Sequence, residues 1–141
     1  MKKFILLVPL MAILVFAGAT CTTEDTKTVT VSNTAIKEST IKLDNTVYEP
    51  GGDMTVTLDI LATENLKSGA WVGIIPSDVT HGSEEVNDEN DISYAYVSSA
   101  VNDQLSLVAP LEAGKYDVRL NDDDGTDASE ITYVSFEVIE E

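Results

Sequence analysis

From Ser39 onward, apolar and polar residues alternate in short runs bounded by turn residues, and that period of two commits the chain to strands. In residues 54–60 the alternation puts Met54, Val56, Leu58 and Ile60 on one face. Residues 104–109 repeat it with Leu105 and Leu107. Residues 116–120 place Tyr116, Val118 and Leu120 inward, and residues 131–139 set Val134, Phe136 and Val138 against Tyr133, Ser135 and Glu137. Residues 71–75 are almost wholly apolar, as in a central strand. A first strand over 40–43, continued loosely through Val47 and Tyr48, and one over 92–98 with Tyr94 and Tyr96 on one face complete the set. Glu49-Pro50-Gly51-Gly52-Asp53 and Asp124-Gly125 supply turns between strands. No ten-residue window keeps a helical period, and no repeat is present. The pattern predicts an all-β domain over 39–141, a sandwich of seven strands.

What precedes that domain reads as export machinery. Lys2 and Lys3 lead an apolar run over 4–16 and then the small residues Ala17, Gly18 and Ala19, the order of a secretory signal over 1–20. Ala17-Gly18-Ala19 fits cleavage before Thr20. The region also resembles the lipobox of prokaryotic lipoproteins, with Gly18 and Thr20 departing from its usual residues. That resemblance implies lipidation at Cys21, the chain's single cysteine, which has no second cysteine to pair with. The Thr-rich residues 21–38 read as a flexible tether. The localisation expected is export, followed by anchoring in the cell envelope or at the surface through an N-terminal lipid. Cleavage before Thr20 would instead give a secreted or periplasmic soluble form.

Trp71-Val72-Gly73-Ile74, Tyr94-x-Tyr96, Gly114-x-Tyr116-x-Val118 and Val134-x-Phe136 together resemble immunoglobulin-like and fibronectin type III-like sandwiches. They are also similar to the SKICH-related pattern of exported prokaryotic proteins. Leu58 and Val118 stand where immunoglobulin domains carry paired cysteines, so the resemblance is to the disulfide-free branch. It implies that Trp71 is a core tryptophan and Tyr116 a tyrosine corner, both framework. It further implies attachment or interaction rather than catalysis, with an unknown protein or carbohydrate as ligand.

A formal net charge of −17 excludes phosphate backbones and basic docking on anionic lipid. The acidity itself reads as solubility or salt adaptation. Six acidic residues lie in the loop over 77–91, where a cation, if held, would be calcium, with Asp78, Glu84, Asp88 and Asp91 as carboxylate ligands. The spacing matches no EF-hand. The other acidic segment, 121–127, is expected at the opposite end of the sandwich, beside the 62–69 connection, so that the two segments build no common site. His81 is one ligand where zinc wants three or four. Ser77, Ser83, His81 and Asp78 all sit in one short loop, with no nucleophile elbow, and no enzyme is expected. An accessory domain or small hydrolase is the rival from that class. Tyr94 and Tyr96 are the exposed aromatic pair through which a sugar or peptide would be contacted.

Overall fold

Two sheets carry the domain, and each follows from the alternation just described. The computed structural model describes residues 38–62 and 64–140; the expected signal segment, Cys21 and nearly all of the tether lie outside them. Strands β1 (Thr40–Leu43), β3 (Asp53–Asp59) and β6 (Gln104–Val108) form a three-stranded antiparallel sheet in the order β1-β3-β6. The second sheet runs β2 (Val47–Tyr48), β8 (Glu130–Val138), β7 (Gly114–Asn121), β4 (Trp71–Pro76), β5 (Ser93–Tyr96). Its one parallel pair is β2 on β8.

Side chains from both sheets meet in one core. Met54, Val56 and Leu58 of β3 and Leu105 and Leu107 of β6 pack with Val72 and Ile74 of β4, Val118 and Leu120 of β7, and Phe136 and Val138 of β8. Tyr116 stacks on Phe136 with ring centroids 5.7 Å apart, and its hydroxyl donates to the Glu112 carbonyl at 2.9 Å. That bond ties the turn before β7 to the strand it feeds. Leu58 and Val118, the positions compared with paired cysteines, are both core residues.

Eight strands are present among the described residues, not seven. The expected first strand divides at Asp44-Asn45-Thr46, where the alternation lapses, and its two halves join different sheets. Tyr48 holds the crossover: its hydroxyl donates to Asp44 Oδ1 at 2.7 Å and accepts the Asn45 N–H at 3.0 Å. Burial and that carboxylate push the Tyr48 phenol up to about 12. The segment 77–91, expected as a loop, contains helix α1 (Glu84–Asn90), capped by Ser83, whose Oγ accepts the Val86 N–H. Its buried residues are Glu84 and Asn87, so it has no apolar stripe for a hydrophobic period to reveal.

The corner hydrogen bond makes a direct prediction. Tyr116→Phe leaves the ring stacking but strands the Glu112 carbonyl, and is expected to cost about 1–2 kcal/mol. The measurement is the urea midpoint at unchanged m-value; an unchanged midpoint means the bond contributes nothing.

Candidate functional site

The side of the five-stranded sheet that faces away from the core is covered, and the cover creates the site. With Val72 and Ile74 in the core, the strand period turns Trp71, Gly73 and Ile75 to the other face, together with Asp117, Arg119 and Asn121 of β7. Trp71 is therefore not the core tryptophan that the resemblance implied. It is buried, at 3% exposure, but beneath α1, and its Nε1–H donates to Glu84 Oε1 at 3.1 Å. Gly73 makes this possible, because a Cβ there would collide with Trp71 Cζ3.

Under the rest of the cover lies a buried polar network. Arg119, fully buried, donates through Nη2 to Asp117 Oδ2 at 2.9 Å and to the Val79 carbonyl at 2.8 Å. Its Nη1 donates to Asn87 Oδ1 at 2.9 Å and lies 3.7 Å from Glu130 Oε2. Asn87 in turn donates to Asn121 Oδ1 at 2.8 Å, which fastens α1 to β7. Arg119 Nε and Asn121 Nδ2 have no protein partner.

Of the residues of the formal triad, Ser77 and His81 join this network rather than each other. Ser77 Oγ donates to Asp117 Oδ1 at 2.9 Å, and Ser83 is the helix cap. His81 faces Glu130 Oε1 through Nδ1 at 2.8 Å and Asp117 Oδ2 through Nε2 at 3.3 Å, with its ring on Tyr133. Asp78 is exposed.

The two acidic segments, expected apart, meet. β4 and β7 are antiparallel with Trp71 opposite Asn121, so the turn after β7 begins beside Trp71. Helix α1 runs back over the sheet and brings Glu84 and Asp88, one helical turn apart, to the same end. Carboxylate oxygens of Glu84, Asp88 and Asp124 all lie within 4.8 Å of one another. Of the four carboxylates expected to hold a cation, Glu84 and Asp88 are thus brought together and joined by Asp124; Asp78 and Asp91 lie outside the group. The neighbouring 62–69 connection does adjoin the turn, with Lys67 Nζ 3.0 Å from Asp123 Oδ2.

Beside these carboxylates is a cleft of about 90 Å³ lined by Trp71, Tyr94, Tyr96, Asp88 and Asp124. Tyr94 and Tyr96 are exposed, at 55% and 38%. Successive rings stand nearly perpendicular: Trp71 to Tyr94 at 75° and 6.1 Å between centroids, Tyr94 to Tyr96 at 84° and 5.6 Å. Tyr96 donates its hydroxyl to Asp124 Oδ2 at 2.8 Å; that bond and the carboxylate's charge push the phenol up to about 12. Burial raises the Glu84 carboxyl, and the charges of Asp88, Asp124 and Asp123 add to it against the Trp71 hydrogen bond. Burial, then Asp88, also raises Asp91. Lys67, followed by a backbone N–H, lowers Asp123. The site is an electronegative pocket with aromatic walls, and among the described residues no Lys, Arg or His lines it.

Tyr94 and Tyr96 were legible from the strand period, whereas Trp71 and Asp124 required knowledge of where α1 runs. No protein-family model matches the chain, and no curated protein is similar to it.

Two outcomes follow from these charges. Arg119→Met leaves Asp117 and Glu130 buried without their cation and is expected to cost about 3–5 kcal/mol in urea unfolding; a loss below about 1 kcal/mol would mean the network relaxes freely. Glu84 holds its proton to higher pH in the folded than in the unfolded chain. Its contribution to stability is therefore complete below its ordinary value of 4.5 and is lost as pH rises through the folded value. Glu84→Gln, which can still accept the Trp71 N–H, is expected to melt a few degrees higher than wild type at pH 7 in low salt. The gap should narrow with added NaCl, and a variant that melts lower at pH 7 would contradict this.

Proposed function

We propose that this chain is an exported, lipid-anchored, non-catalytic binding module with an immunoglobulin-like sandwich, acting at the cell surface, and that the cleft of Trp71, Tyr94 and Tyr96 is its binding site. The observation that carries the reading is the cleft itself. Two exposed tyrosines and an otherwise buried tryptophan border one opening, ringed by carboxylates whose mutual repulsion the fold tolerates. The strand order β1-β3-β6 against β2-β8-β7-β4-β5 and the Tyr116 corner support the immunoglobulin-like assignment. The order of basic start, apolar run, small residues and Cys21 supports export and lipidation.

A second reading, a calcium-dependent module, is favoured by the approach of Glu84, Asp88 and Asp124. Calcium at millimolar concentration would then raise the melting temperature, because a ligand confined to the folded state stabilises it.

The test of the first reading has two arms. Cys21→Ala is expected to move the protein from the membrane fraction to the soluble fraction, and unchanged partitioning overturns the anchor. Labelled protein on glycan and peptide arrays is expected to bind ligands that the Tyr94→Ala/Tyr96→Ala variant loses while its melting curve is retained. Ligands indifferent to those substitutions overturn the cleft as the site.

A further inference from the structure

We infer that the cleft takes a methylated ammonium group, the headgroup of a ligand with net positive charge. The inference rests on the cleft being the binding site and names what chemistry fits there. A cation within about 6 Å of an aromatic ring face is drawn to the ring's quadrupole. Trp71, Tyr94 and Tyr96 line one small space, with the Tyr94 ring nearly perpendicular to each of the other two, while Asp88 and Asp124 supply formal negative charge at its border.

Size and shape narrow the class. At about 90 Å³ the cleft is well below the roughly 300–1,000 Å³ of sites that enclose a whole small molecule, so it holds a single group. Perpendicular rings give no flat platform for a sugar to stack on. Calcium requires six to eight oxygens. Here three carboxylates converge, two of them already accepting from Trp71 and Tyr96, and the other residues lining the cleft are Trp71, Tyr94 and Tyr96. A bare ammonium would give up water at the ring faces, which return no hydrogen bond, whereas a methylated one sheds little water, gains ring contact and still meets the charge of Asp88 and Asp124. Zwitterions such as betaine or phosphocholine would bring their own anion against Asp88 and Asp124, and bind more weakly.

The experiment uses the full-length mature protein, whose one tryptophan is Trp71. Choline chloride and tetramethylammonium chloride are titrated at constant ionic strength, with tryptophan fluorescence and melting temperature as readouts. Saturable change is expected for both, with little response to the uncharged isostere 3,3-dimethyl-1-butanol. Tyr94→Ala and Asp124→Asn are each expected to weaken binding about ten-fold with folding retained. A trimethyllysine peptide distinguishes the sources. Affinity equal to choline's points to the headgroup alone, and affinity ten-fold tighter points to a headgroup carried on a partner chain. The inference is overturned if choline does no more than NaCl, if the neutral isostere binds equally, or if Tyr94→Ala binds as wild type. Saturation by calcium with no response to choline overturns it while leaving the cleft as the binding site. Array ligands indifferent to Tyr94 and Tyr96 would instead remove the cleft reading on which it rests.

Discussion

Arg119 and Asp117 hold the outer side of the five-stranded sheet together, and the site depends on them. A guanidinium with no exposure must be neutralised and hydrogen-bonded, or its burial is prohibitive. Asp117 and Glu130 provide the charge, while Asn87 and the carbonyls of Val79 and Thr80 provide acceptors. Those last three partners belong to the segment that crosses the sheet. The arginine therefore fixes the path of residues 79–87 by hydrogen bonds where a hydrophobic core would fix it by packing. A seven-residue polar helix has little stability of its own. This one persists because it is pinned to β7 through Asn87 and to β4 through the Glu84–Trp71 bond.

The position of Trp71 follows from that path. An indole on the outward face of a sheet would ordinarily be exposed, but α1 and the 121–127 turn cover it, and Gly73 leaves room for its ring. What remains accessible is an opening between Trp71, Tyr94 and Tyr96. The helix that closes over the tryptophan also delivers Glu84 and Asp88, so aromatic surface and negative charge arrive at one place by one structural device. Burial first, and the neighbouring carboxylates after it, raise the Glu84 carboxyl, so placing that charge here opposes folding.

Framework and site differed in how openly the residues displayed them. Tyr116, two residues before a core valine and just after a Gly-containing corner, made the hydrogen bond that its placement suggests. Met54, Val56, Leu58, Leu105 and Leu107 lay where a period of two puts them. Tyr94 and Tyr96 came out exposed and adjacent for the same reason. The break at Asp44-Asn45-Thr46 was visible as a lapse in alternation, but whether the strand resumes in the same sheet depends on partners far along the chain. Helix α1 was hidden because its buried residues are a glutamate and an asparagine, and polar burial leaves no periodic trace.

The sequence by itself determined the class of fold and the composition of the core, because alternation is local and each strand carries its own record of which side faces inward. It also set the formal net charge of −17. Only the tertiary structure decided that Trp71 faces away from the core, that Asp124 joins Glu84 and Asp88, and that Arg119 is buried. These facts depend on the route of one polar segment across a sheet. That route is set by hydrogen bonds between residues some thirty to forty positions apart, and no local pattern records it.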